Sequence, residues 1–235
     1  MRTPVVSAKR KGEKPIPRPQ VLACFCMTVD GKTVSRKSPP GADFLFAGRN
    51  RMREVLDRAD AVLMEHEAVD FPDQVLFHEA RGGGRKLLRG IVSNTGKLDP
   101  SGKDFTGTTS PPVIFSTRRM PVCRRAEMAR KSDLFLFPGR EVNLCRVLEI
   151  LRAEFGVKRV VCGGGGPLMK SLAALDLVDG ILLSIAPMIF GGWKVPTLAG
   201  LPGAFLDPPR EFEILRTVSS NEGCFLELRR RRGVS

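Results

Sequence analysis

Four consecutive glycines, Gly163–Gly166, follow the strand-like segment 157–162 and lead directly into Pro167 and Leu168. The run Val160-Val161-Cys162 has the apolar, β-branched character of a strand buried on both faces, as in parallel sheets covered by helices. Proline is accommodated in the first turn of a helix, so the spacing predicts a helix over 167–177. Strand, glycine turn and helix together form a βα unit, which restricts the chain to an α/β architecture. Glycine has no β-carbon, so this backbone can approach a phosphate closely. A helix start adds unpaired N–H groups and the positive end of the dipole. The pattern matches neither G-x-G-x-x-G nor the phosphate loop that ends in Gly-Lys-Ser/Thr, and so names no ligand. A turn that needs glycine only for close packing would read the same.

The same alternation extends along the chain. Val21–Val29 is a continuous apolar run that predicts the first buried strand, and 60–64 (DAVLM) predicts the second. Between them, Met52, Val55, Leu56 and Ala59 fall at helical spacing over 49–59. Further strands are expected at 89–94, 113–116, 133–137 and 180–187. Apolar residues at 144, 147, 148, 151 and 155 make a helical stripe that Gly156 is placed to end. The last two runs, 210–218 and 223–229, are separated by Ser219-Ser220-Asn221-Glu222, which is hairpin spacing. These elements give a central, mostly parallel mixed sheet flanked by helices, with a C-terminal antiparallel hairpin. One domain over 20–230 is expected, between a basic leader at 1–19 and a basic tail at 231–235.

The formal charge of +13 narrows the function once it is located. Arg2, Lys9, Arg10, Lys11, Lys14 and Arg18 crowd the leader against Glu13 alone, and Arg229–Arg232 close the chain. No aromatic residue interleaves either run, so both read as solvated ends rather than a nucleic-acid surface. No apolar run approaches the roughly 20 residues that span a bilayer, and the leader has no apolar signal segment. A cytoplasmic, membrane-free protein is expected. The six cysteines form no C-x-x-C pair and only His66 and His78 are available beside them, so no metal site is expected.

Taken in order, Thr28-Val29-Asp30-Gly31-Lys32, the glycine turn, Leu177-Val178-Asp179 and Ala186-Pro187 with Gly191-Gly192 resemble the C-terminal reductase domain of the bacterial bifunctional deaminase-reductase of riboflavin synthesis and its stand-alone relatives. The resemblance covers about residues 20–230. It implies a dihydrofolate-reductase-like fold, a homodimer, and hydride transfer from NADPH that turns the ribosylamino group of a pyrimidine ribose 5′-phosphate into ribityl. This is the 5-amino-6-(5-phosphoribosylamino)uracil reductase type of activity. The deaminase signature H-x-E with P-C-x-x-C is absent from the sequence. Carried over by position, Asp30 and Lys32 match the Asp-Gly-Lys near the substrate and become the catalytic candidates. Ser93, Ser116, Thr117 and Arg118 fall at strand ends that face the cofactor in this fold, and Arg118 or Arg119 suits the 2′-phosphate of NADPH. Gly164, Gly165 and Gly166 would lie against the cofactor diphosphate. Read without the resemblance, Lys32 and the arginines are equally solvated surface cations.

Departures from the family pattern gather at the site. Where the family has Val-Gly-x-Gly-Thr, this chain has Met64-Glu65-His66-Glu67-Ala68. A carboxylate 4 Å from a phosphate costs on the order of 1 kcal/mol in water and more in a drier site. Val55-Leu56 replaces a Leu-Arg, Gly163 replaces the Glu of a Glu-Gly-Gly, and Asp179-Gly180 replaces an Asp-Glu. Glu65, His66 and Glu67 read either as a new acid–base cluster or as solvated loop residues. The expected function is therefore an NADPH-dependent reductase of riboflavin-type metabolism. Its alternative is a catalytically impaired relative kept as a nucleotide-binding or oligomeric scaffold.

Overall fold

The computed structural model describes residues 17–33, 54–65, 87–99, 101, 110–201, 203, 205–221 and 223–231. Among these residues nine strands form one sheet: β1 (Gln20–Thr28), β2 (Ala61–Glu65), β3 (Leu88–Ser93), β4 (Val113–Thr117), β5 (Asp133–Phe137), β6 (Arg159–Gly164), β7 (Gly180–Ala186), β8 (Phe212–Ser220) and β9 (Gly223–Arg230). Their order is β5-β4-β3-β2-β6-β1-β7-β9-β8. All pairings from β5 to β7 are parallel, and β9 joins β7 and β8 antiparallel. This is the mixed sheet with a closing hairpin that the strand pattern implies. The 34–53 segment, which includes the start of the expected helix at 49–59, lies outside the described residues, and a helical turn is present at 54–57.

Among the described residues three helices of two turns or more pack on the sheet: α1 (Val122–Lys131), α2 (Leu144–Phe155) and α3 (Gly166–Ala174). Helix α2 has the cleanest sequence logic. Asn143 accepts a hydrogen bond from the Arg146 N–H at its start, and Gly156 closes it in the left-handed conformation at φ 65°. Its stripe of Leu144, Val147, Leu148 and Leu151 enters one core with Leu168, Met169 and Leu172 of α3 and the sheet residues Val21, Ala23, Ala61, Leu63 and Phe115. The opposite face of the sheet buries Leu56, Ala59 and Met128 of α1 against Val62, Met64, Ile91 and Ile114. Helix α1 was not expected. Met128 is its only buried residue, so it carries no apolar stripe that periodicity could detect.

The two cores follow from handedness. Crossovers between parallel strands are right-handed, so the direction of travel fixes the face on which a helix lies. The connections β5 to β6 and β6 to β7 travel one way and place α2 and α3 on one face. The connections β1 to β2 and β4 to β5 travel the other way, placing the 54–57 turn and α1 opposite. Neighbouring β2 and β6 therefore send their chains in opposite directions, which makes the gap beyond their carboxyl ends the switch point of the sheet. Ligands of open α/β sheets bind in that crevice.

Candidate functional site at the switch point

The crevice is bounded on the β6 side by glycine backbone. Register between β2 and β6 runs Ala61↔Val160, Val62↔Val161, Leu63↔Cys162 and then jumps to Met64↔Gly164, leaving Gly163 as an inserted residue. A bulge of this kind bends the strand, and glycine permits it at low cost. Gly165 follows at φ 90°, a conformation that disfavours any side chain, and α3 opens with Gly166 and Pro167. The helix has neither a capping side chain nor an acidic residue in its first turn. Backbone and dipole here fit an anion such as a cofactor diphosphate.

Two neighbours close on this mouth: Glu65, one of the departures from the family pattern, and Gly200, which the sequence did not indicate. The Cβ and Oε2 atoms of Glu65, the last residue of β2, lie 2.6 and 2.7 Å from the position a β-carbon would take on Gly165. A β-carbon on Gly166 would lie 2.3 Å from both Cα and N of Gly200. Gly165 and Gly166 are thus glycines for packing as well as for any ligand. Glu65 also adds a repulsive charge near the Cys162 thiol, whose pKa burial pushes up to about 12. His66 and Glu67 lie outside the described residues.

The β1 end joins the same crevice through a short series of hydrogen bonds. Thr28 Oγ1 donates to the Asp30 carboxylate and accepts from the Lys32 N–H at 3.0 Å. Asp30 also accepts from the N–H groups of Phe190 at 3.2 Å and Gly191 at 2.8 Å. The Thr28 hydroxyl and then the two amides hold its carboxyl below the usual aspartate range, so it is ionised near neutrality. Asp30 fastens the 29–31 turn to the 190–191 loop, and it has no proton to give. Beyond it, Thr33 N–H donates to the Pro196 carbonyl at 2.8 Å, and Lys32 pairs with Thr197 as an isolated bridge. Thr197 and Gly200 exchange both backbone hydrogen bonds, and Gly200 is the residue packed on Gly166. Lys32 and the glycine mouth are therefore two ends of one contact series, and Lys32 makes no ion pair among the described residues. Sequence reasoning missed Thr197 and Gly200, for which a Thr-x-x-Gly turn was the only signal.

The candidates at β3 and β4 lie at the strand ends, where their hydroxyls have protein partners. Ser116 Oγ donates to the Ser93 carbonyl at 2.7 Å, Thr117 Oγ1 donates to the Asn94 carbonyl at 2.7 Å, and Ser93 Oγ accepts from the Gly96 N–H at 3.1 Å. All three residues are buried. The Ser116 and Thr117 hydroxyls cross-link the end of β4 to the end of β3, and the Ser93 hydroxyl oxygen closes a local turn at Gly96. Arg118 stays exposed on the same edge, and no hydrogen bond of its guanidinium is present among the described residues. Another departure has a packing reason: a β-carbon on Gly180 would lie 2.9 Å from the Leu228 carbonyl, so the approach of β9 requires glycine there.

A doubly wound sheet with a glycine-lined helix mouth at its switch point defines an α/β domain of the kind whose ligands bind beyond the strand ends. Residues 19–219 match the family model described as the RibD C-terminal domain. The chain belongs to the RibD C-terminal domain family. A Methanothermobacter thermautotrophicus protein named 2,5-diamino-6-ribosylamino-4(3H)-pyrimidinone 5′-phosphate reductase is 28% identical over 217 residues, covering 89% of this chain and 97% of that protein. An Aquifex aeolicus protein of the same name is 24% identical over 193 residues, covering 79% of this chain and 84% of that one. In fold, the chain is similar to a pyrimidine reductase-like protein of Corynebacterium diphtheriae (TM-score 0.69, 17% identity, 92% of this chain and 93% of that one). It is also similar to the diaminohydroxyphosphoribosylaminopyrimidine deaminase/5-amino-6-(5-phosphoribosylamino)uracil reductase of Thermotoga maritima (TM-score 0.69, 19% identity, 91% of this chain and 57% of that one). Among the described residues no helix is long and apolar enough to cross a membrane.

Proposed function

We propose that this chain is an NADPH-dependent reductase of riboflavin synthesis, converting the ribosylamino group of a pyrimidine ribose 5′-phosphate to ribityl. The observation that carries the reading is the contact series that links the Lys32 backbone, through Thr197 and Gly200, to Gly166 at the start of α3. The near full-length relative from Methanothermobacter, whose name states this substrate class, supports it.

The nicotinamide supplies the hydride, and the protein's part is to bind and orient. Backbone amides at the start of α3 receive the cofactor diphosphate. Arg118 offers a planar guanidinium to the 2′-phosphate that distinguishes NADPH from NADH. Lys32 presents a compact cation to a substrate phosphate or ring oxygen. Asp30 acts through Lys32 as a positioning residue by fixing the 28–32 turn. Ser93, Ser116 and Thr117 keep the adjoining strand ends in register beneath the cofactor.

The reading extends to a homodimer in the cytoplasm. Edge strand β8 leaves Ile214 63% exposed and Leu215 48% exposed, the kind of edge that a second subunit covers. All six cysteines are free, which suits a reducing compartment. The test of function is oxidation of NADPH by the purified chain with the ribosylaminopyrimidine 5′-phosphate, repeated with Lys32→Met. Turnover that falls at least tenfold in the variant supports the assignment. NADPH binding without turnover on this substrate leaves the scaffold reading.

A further inference from the structure

Helix α3 begins without a capping side chain and without an acidic residue in its first turn. A carboxylate nevertheless lies at that end, supplied from another strand. Glu65 closes β2, and the bulge at Gly163 sets its neighbour Met64 opposite Gly164. The side chain then runs along the bare face of Gly165, with Cβ, Oε2 and Cδ at 2.6, 2.7 and 3.6 Å from the β-carbon position. Negative charge at a helix N-terminus is stabilising, and a diphosphate would use the same end of the dipole. Two anions at one mouth repel.

We propose that Glu65 is the specificity-determining residue of the cofactor site: its carboxylate stands at the mouth of α3 as an internal anion, and the cofactor diphosphate binds only by displacing it. This rests on the reductase reading above and deepens it. Affinity for the dinucleotide is then the result of a competition between a tethered carboxylate and an incoming diphosphate. A ligand must bring enough further contacts, at its adenosine and nicotinamide ends, to win that competition. Free pyrophosphate and short nucleotides do not bring them, so the site rejects them. Gly165 is part of the device, because any side chain there would push Glu65 off the mouth.

The experiment is calorimetric titration of the full chain with NADPH and, separately, with inorganic pyrophosphate. It compares wild type with Glu65→Gln, which keeps the shape, and Glu65→Gly, which opens the mouth. Thermal melting without ligand is measured for all three. The expected result is a Kd for NADPH at least tenfold lower in both variants, with pyrophosphate binding detectable only in them. Glu65→Gln should also melt below wild type without ligand, because a negative charge near a helix N-terminus is stabilising. A merely structural Glu65 would lower the melting temperature and weaken NADPH binding together, which overturns the proposal. Equal, measurable NADPH binding by all three proteins overturns the proposal and leaves the reductase reading standing. No NADPH binding by any of them overturns both.

Discussion

Gly200 lies so close to Gly166 that a single added β-carbon would be 2.3 Å from its Cα and N atoms. The contact is backbone on backbone, so no flexible side chain can yield. Gly166→Ala must lift the 197–200 turn off α3 or shift the helix, at a cost of about 1–3 kcal/mol, the usual range for overpacking. Because Thr197 of that turn pairs with Lys32, the displacement also reaches the β1 end of the crevice. Chemical denaturation should show the loss of stability, and the KM for substrate should rise. An unchanged midpoint would mean that the turn is not docked on Gly166.

Asp30 gives the site an acid limit. Its carboxyl lies below the ordinary aspartate value because the Thr28 hydroxyl, and then the Phe190 and Gly191 amides, favour the charged form. A group with a depressed folded pKa contributes stability above its unfolded value, about 3.9, and that contribution is lost as pH falls through the folded pKa. Asp30→Asn should therefore melt below wild type at neutral pH, with a gap that holds down to about pH 4 and closes only below it. Closure of the gap between neutrality and about pH 5 would contradict this hydrogen-bonding account.

Asp179 ties three segments together. Its carboxylate takes both guanidinium nitrogens of Arg18 at 2.7 and 2.8 Å and the Val21 N–H at 2.8 Å. The pair is only partly exposed, at 26% and 18%, and bidentate, so it exceeds an ordinary surface ion pair. Asp179→Ala should cost about 1–3 kcal/mol, since the buried amide at the start of β1 loses its acceptor. Arg18→Ala should cost less, because that amide keeps its partner. The reverse order, measured by denaturant titration, would be inconsistent with the geometry.

Thiol chemistry should divide the cysteines. Burial pushes the Cys24 and Cys162 thiols up to about 12, whereas Cys123 and Cys145 are exposed. The thiolate is the reactive form, so a maleimide on the native protein should modify Cys123 and Cys145 first and reach Cys24 and Cys162 only after unfolding. Peptide mass mapping distinguishes these. Early labelling of Cys162 would place solvent at the base of the crevice.

Legibility in the sequence followed the physics of each element. Strands β1, β2, β5, β6 and β7 are apolar on both faces, so runs such as 21–29 announce them, and α2 announces itself through its stripe and Gly156. Helix α1 was silent because its sequence VCRRAEMARK buries Met128 alone. The hairpin was placed correctly but read with too long a turn: Ser220 still pairs with Gly223. At the site, the sequence pointed to the glycines, Asp30 and Lys32. It could not show that Glu65 leans on Gly165, since that contact joins residues 100 positions apart through a bulge in the register. Ser93, Ser116 and Thr117 sit at the strand ends where the family pattern places them, yet side-chain direction and burial turn their hydroxyls to the scaffold.

The most direct test of the central claim is isotopic. NADPH carrying deuterium at the transferable position of the nicotinamide is incubated with the chain and the ribosylaminopyrimidine 5′-phosphate, and the product is read by mass spectrometry. The account predicts a ribityl product with one deuterium on the sugar carbon attached to nitrogen, formed only when NADPH and enzyme are both present. Unreduced substrate after long incubation, or a ribityl product without deuterium, would contradict it.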